Sequence, residues 1–282
     1  MTAPAPTETV PDTEPEPILQ VTGLTRRFGG LTAVDHVDLT VRPDTVRAVI
    51  GPNGAGKTTL LDLVTGFTKP DEGSVTFLGH DVLRMPPHRL PGVGLMRSFQ
   101  SARLVPRLSV RENVMLGAHH LTRSRFLADG LRLPRARREQ RALEERADAV
   151  LEFLDLRRFA DTAGSDLPTG VQRLLEVGRA LAGAPRLLLL DEPAAGLDGT
   201  ETRELAAVLR AVARSGTAIV LIEHDVEMVM SISDDVLVLD AGAVVADGPP
   251  AVVRTDPAVL AAYLGQPDID GAGTHPDERE NR

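Results

Sequence analysis

Two short apolar runs, Leu187–Leu190 and Ala218–Ile222, each stop abruptly at charged residues, Asp191-Glu192 and Glu223-His224-Asp225. Four or five consecutive apolar residues read as a strand covered on both faces, so each acidic group falls at a strand end. A third, mostly apolar segment, Val46 to Ile50, runs into Gly51-Pro52-Asn53-Gly54-Ala55-Gly56-Lys57-Thr58-Thr59. That order predicts a strand, a tight loop and a helix starting near Lys57. Upstream, Ile18 to Ala48 alternates apolar and polar positions between breaks at Gly29-Gly30 and Pro43-Asp44, the pattern of an antiparallel layer. Ser74 to Leu78 reads as a further strand. From Glu139 to Leu156 the period lengthens, and Leu143, Ala147, Val150, Leu151 and Leu154 share one face of a predicted helix that faces a core. Between them, Gln100 to Arg138 is poor in regular signals.

The chemistry sits at the ends of these strands. Gly51 to Thr58 has every fixed position of the G-x-x-x-x-G-K-T phosphate-binding loop. Its glycines let the backbone wrap closely around phosphates, and the N–H groups of Asn53, Gly54, Ala55, Gly56 and Thr59 join the positive end of the following helix in facing an anion. Lys57 pairs the β- and γ-phosphates as a point charge, and the Thr58 hydroxyl reaches Mg²⁺. Lys57 and Lys69 are the only lysines in a chain that otherwise uses arginine. Asp191 is the second candidate Mg²⁺ ligand, Glu192 faces the attacking water, and His224 is a candidate for positioning that water against the γ-phosphate. A phosphate-binding loop alone fits kinases, GTPases, motors and transport ATPases.

The order of the landmarks narrows the choice. The chain resembles the ATP-binding subunit of an ABC transporter over roughly residues 18 to 265. Gly51 to Thr58 is similar to that family's Walker A, Gln100 to the Q-loop glutamine, Leu167 to Arg173 to the signature, Leu187 to Glu192 to Walker B, Ala195 to Asp198 to the D-loop and His224 to the switch histidine. The resemblance implies an α/β fold: a P-loop NTPase core with an antiparallel β subdomain and a helical subdomain at about residues 101–180. It further implies ATP and Mg²⁺, with Thr58, Gln100 and Asp191 at the metal and Glu192, His224 and Gln100 at the reacting phosphate. Implied partners are transmembrane permease subunits, a second ATP-binding protomer and, indirectly, a substrate-binding protein, at the cytoplasmic face of a membrane.

Finer likenesses point to one branch. Leu24 to Val34, Arg97-Ser98-Phe99-Gln100, Glu192 to Leu197, Ile222 to Asp225, the segment Gly117 to Leu143 and the closing Ala262-Tyr263-Leu264-Gly265 resemble the larger ATP-binding subunit of branched-chain amino acid importers. Relatives that move urea or short amides, or export lipopolysaccharide, are similar in the same places. An ATP-gated clamp with weakened hydrolysis is the alternative of a different class. Phe28 lies where the family stacks an aromatic on adenine, with a core position as its other reading. The signature departs from the family's Leu-Ser-Gly-Gly-Gln: Leu167, Gly170, Gln172 and Arg173 match, and Pro168 replaces the serine. Thr169 to Gln172 has the T-x-x-Q form of a capping box, so Thr169, Gly170 and Gln172 are expected to start a helix and meet the γ-phosphate held by the other protomer.

Composition alters this picture little. The 282 residues suffice for a large core, include no cysteine and contain no apolar run near the roughly 18 residues of a membrane span. The net charge of −9 is mostly terminal, with four acids and no lysine or arginine in residues 1–17, and five acids against two arginines in 266–282. Both tails are expected to be disordered, and no basic nucleic-acid footprint is present.

Overall fold

The computed structural model describes residues 15–98, 104–121 and 134–264. The strands are β1 (Leu19–Phe28), β2 (Leu31–Val41), β3 (Val46–Ile50), β4 (Glu72–Phe77), β5 (His80–Asp81), β6 (Leu95–Arg97), β7 (Leu187–Asp191), β8 (Ala218–Ile222), β9 (Asp235–Asp240) and β10 (Ala243–Gly248). The helices are α1 (Lys57–Val64), α2 (Leu90–Val93), α3 (Val110–Gly117), α4 (Pro134–Phe153), α5 (Thr169–Leu181), α6 (Gly199–Arg214), α7 (Val226–Ile232), α8 (Pro250–Val253) and α9 (Pro257–Leu264).

Two sheets result. One is antiparallel, in the order β2-β1-β4-β5; the other, β10-β9-β3-β8-β7-β6, is parallel except for the β10–β9 pair. All five residues of β3, β7 and β8 are buried, as a strand packed on both faces requires. The two-residue period then sorts the core. Leu187, Leu189, Val220 and Ile222 face α1 and the antiparallel sheet, while Leu188, Leu190, Ile219 and Leu221 face α6 and α7. Each fully buried leucine contributes about 1.5–3 kcal/mol of transfer free energy, so these alternating faces hold the strand ends in place.

A third core joins α3, α4 and α5 through Val114, Ala147, Leu151, Leu154 and Leu175. The predicted stripe on α4 is there, with Leu143 and Val150 packed at its edge. Its helix ends at Phe153 rather than Leu156, because Asp155 adopts a left-handed backbone, φ 55°, that reverses the chain. Helix α3 falls where regular signals are poor. Ser109 and Glu112 form a reciprocal capping box at its start, Ser109 Oγ accepting from the Glu112 N–H and Glu112 accepting from the Ser109 N–H. That S-x-x-E pattern was the available signal. Gln100 and the two tails expected at 1–17 and 266–282, save residues 15–17, lie outside the described residues.

Candidate functional site

The loop between β3 and α1 is enclosed by its own chain. A Cβ on Gly51 would run into the Leu239 carbonyl and one on Gly56 into the Ala33 carbonyl, and both glycines hold positive φ. Close approach to the protein itself therefore requires these two glycines. The Gly242 N–H adds a hydrogen bond to the Ala55 carbonyl at 3.1 Å. Asn53, Gly54 and Thr58 are exposed on the open side, with Thr59 half-buried. No side chain caps the first turn of α1, which leaves its N–H groups for an anion.

Lys57 is 8 % exposed, and its Nζ donates to the carbonyls of Gly51 (2.7 Å) and Pro52 (2.9 Å). Burial lowers its pKa, against the opposing pull of Glu192 and Asp191. Asp191 is 5 % exposed, and burial pushes its carboxyl up, opposed first by Arg97. Its Oδ1 is buried without a hydrogen-bond partner. A buried oxygen left without a donor, with an exposed threonine hydroxyl on α1, is the hard donor set that Mg²⁺ takes, so Thr58 and Asp191 fit that ion.

Glu192 leaves the strand with a left-handed backbone, φ 50°, and its N–H donates to the Ile222 carbonyl at 2.9 Å. The end of β7 is thus tied to the end of β8, where Glu223 and His224 follow. The His224 ring is exposed, whereas Glu223 is fully buried and accepts from the N–H groups of Ala194 (2.7 Å) and His224 (3.2 Å). Sequence reasoning treated Glu223 only as part of a strand end. Its role as a brace between the segment after Glu192 and the histidine depends on a contact 29 residues apart, for which the local pattern holds no signal.

Burial raises the Glu223 pKa against these two N–H donors. The folded state therefore favours the protonated form, and its contribution to stability falls as pH rises through the carboxylate range. Glu223→Gln keeps an acceptor without the buried charge, so its stability relative to the parent should improve as pH rises, measured by urea unfolding. Glu223→Ala leaves the Ala194 N–H unsatisfied and should cost about 1–3 kcal/mol.

The signature corrects one expectation. Helix α5 does begin at Thr169, but its cap is Pro168, with φ −57° and ψ 154° and no side-chain hydrogen bond. Thr169 is already helical, so the T-x-x-Q pattern is out of phase by one residue and forms no capping box. Gln172 instead donates to the Leu167 carbonyl at 2.8 Å, and Gly170 lies against the Glu201 carboxylate. Arg173 donates to the Ala195 carbonyl at 3.1 Å, joining the signature helix to the segment that ends in Asp198. Asp198 caps α6 by accepting from the Thr200 and Glu201 N–H groups, which holds its carboxyl below the usual range. A cavity of about 200 Å³ lies between Asp191, Glu192, Ser98, Arg173 and Glu176.

A family model described as ABC transporter matches residues 34–195, more than half the chain. The chain belongs to the ABC transporter family. A second model, described as branched-chain amino acid ATP-binding cassette transporter, matches residues 243–269. Among characterised relatives, the high-affinity branched-chain amino acid transport ATP-binding protein BraF of Pseudomonas aeruginosa is 42 % identical over 251 residues, 89 % of this chain and 98 % of that protein. The corresponding Escherichia coli protein LivG is 39 % identical over 252 residues, 89 % and 99 % of the two chains. A crystal structure of an ATP-binding cassette in its ADP conformation superposes with a TM-score of 0.78 at 30 % identity, covering 89 % of this chain and all of that one. A nucleotide-free cassette gives 0.76 at 29 % identity, again over 89 % of this chain and all of the other. This ABC protein is accordingly an ATP-hydrolysing transport ATPase with the α/β cassette fold. Among the described residues no helix is long and apolar enough to cross a membrane.

Phe28, at the end of β1, is 48 % exposed, which removes the core reading. Arg26 stacks on its ring at 4.6 Å and is held there by Asp71 at 3.0 Å. Phe28→Ala loses this Arg26 contact, about 0.5–1 kcal/mol at an exposed site, and on the adenine-stacking expectation should also weaken ATP binding by about 1 kcal/mol, the scale of an aromatic stack. Inorganic tripolyphosphate should compete equally well in both proteins; a fall in melting temperature at unchanged ATP affinity would remove Phe28 from the base site.

Proposed function

We propose that this ABC protein hydrolyses ATP to drive uptake of branched-chain or other hydrophobic amino acids through a membrane permease, working from the cytoplasmic face. The observation that carries this reading is similarity over 89 % of the chain to a branched-chain amino acid transport subunit, together with residues 243–269 matched by that branch's own model. An apolar groove of about 520 Å³ lined by Phe67, Leu90, Pro91, Leu95, Met96 and Ala180 supports a permease element as docking partner. A substrate-binding protein would act through the permease.

In this reading two protomers enclose ATP, each loop facing the partner's signature. The uncapped start of α1 and the loop N–H groups hold the phosphates, and Lys57 turns an ammonium proton from its carbonyls to the β/γ-oxygens. Thr58 and Asp191, with Gln100 as the family resemblance implies, would hold Mg²⁺, which would supply positive charge against the phosphates. Glu192 takes the proton of the attacking water as general base, and His224, whose backbone N–H donates to Glu223 as that of Ala194 does, orients that water against the γ-phosphate. Glu192 then passes that proton to the departing phosphate or to solvent.

Thr169→Val tests the signature. Loss of the hydroxyl should impair ATP-driven dimerisation and hydrolysis in the assembled transporter while monomer ATP binding persists. Full activity of that variant would mean either that the uncapped N–H groups at the start of α5 suffice for the phosphate or that this signature faces a silent site, the clamp reading for which Pro168 argues. The function itself is tested by co-purification from native membranes followed by uptake of labelled leucine into vesicles holding the recovered complex. Recovery of a permease that transports urea, or extracts lipopolysaccharide, would overturn the assignment.

A further inference from the structure

Arg97 sits at the end of β6 and is used by nothing described above except as a neighbour of Asp191. Its side chain is 8 % exposed, yet it touches three elements. Nη1 donates to Asp62 Oδ1 at 2.5 Å and to Thr65 Oγ1 at 3.3 Å, both from α1 and the residue that ends it. Nη2 lies 3.5 Å from Asp191 Oδ2, the carboxylate being 2 % exposed. On its other side the guanidinium approaches the Phe67 ring, 6.0 Å from its centroid, at the apolar groove.

The contacts are unequal in a useful way. A planar guanidinium whose Nη1 is held by Asp62 and Thr65 presents its Nη2 to the end of β7. That nitrogen meets one oxygen of Asp191, Oδ2, while Oδ1 is the buried oxygen without a hydrogen-bond partner. Asp62 matches the guanidinium charge, so a cation arriving at Oδ1 meets a balanced pair. The long 3.5 Å contact also leaves Asp191 free to bind more strongly elsewhere.

We propose that Arg97 is a positioning residue for the divalent cation, setting the orientation in which Asp191 presents Oδ1. The inference rests on the ATPase reading of the site. Residues that orient a metal ligand from behind are worth about 10–100-fold in metal affinity. The two readings fail separately in one experiment. With Glu192→Gln as background to prevent turnover, Mn²⁺ is titrated into the full chain saturated with ATP and followed by electron paramagnetic resonance. Metal-free ATP affinity and thermal midpoint are measured alongside.

Arg97→Met should raise the Mn²⁺ midpoint by about 10–100-fold and leave metal-free ATP affinity unchanged. Arg97→Lys keeps charge but loses the fork, and should fall between the two; it carries the test if the methionine variant does not fold. Asp62→Asn unbalances the guanidinium and should also raise the midpoint. An unshifted Mn²⁺ midpoint in a folded Arg97 variant overturns the proposal, as does an equal loss of metal-free ATP affinity, which would mark Arg97 as a brace of α1 alone. Failure of the background protein itself to bind ATP with Mn²⁺ would instead remove the ATPase reading.

Discussion

Glu192→Gln should retain ATP and slow its hydrolysis by roughly 10²–10⁴-fold, the contribution of a positioned general base. The substitution preserves shape and the left-handed backbone at this position, φ 50°, and the hydrogen bond from its N–H to the Ile222 carbonyl. A left-handed non-glycine residue costs about 1–3 kcal/mol, and glutamine bears the same cost as glutamate, so stability should change little. The change falls on the one property that matters for the base, its ability to accept a proton. ATP-bound dimers should accumulate on size-exclusion chromatography, because closure no longer leads to hydrolysis. Hydrolysis at the parent rate would assign the base elsewhere, and the exposed His224 would become the first alternative.

Lys57→Ala should lose about 10–100-fold in ATP affinity, since a hydrogen bond to a charged group is worth about 1.5–3 kcal/mol and 1.4 kcal/mol is tenfold. The structure adds a second effect. Nζ holds the Gly51 and Pro52 carbonyls from inside the loop, so its removal leaves two acceptors without this donor. Burial already disfavours the ammonium, which offsets part of that loss. Calorimetric titration with ATP and with ADP separates the effects. A loss larger for ATP than for ADP identifies contact with the terminal phosphate. An unchanged ATP affinity with a lowered melting temperature would make Lys57 a loop brace only.

Elements governed by local pattern were legible in the sequence. The apolar runs at 46–50, 187–190 and 218–222 became parallel strands of the central sheet, and the α4 stripe became a core face, because burial on one or two faces leaves a periodic trace. Phase was harder to read. At 168–172 residue types suggested a threonine cap, but the extended backbone that a cap requires was supplied by Pro168, which moved the helix start by one residue. Helix α3 had a readable cap at Ser109 and too short an apolar pattern to stand out. Contacts between distant segments left no trace at all. The Glu223 brace and the approach of Arg97 to Asp191 arise only when strands far apart in the chain become neighbours in the sheet.

The carbonyls of Ala33 and Leu239 and the N–H of Gly242 hold the phosphate loop from behind, although they lie 18 residues or more from it in the chain. A loop held by contacts with distant parts of its own chain has less chain entropy to lose on binding than a free one. Association of ATP with such a loop is then governed by encounter and charge more than by ordering of the chain.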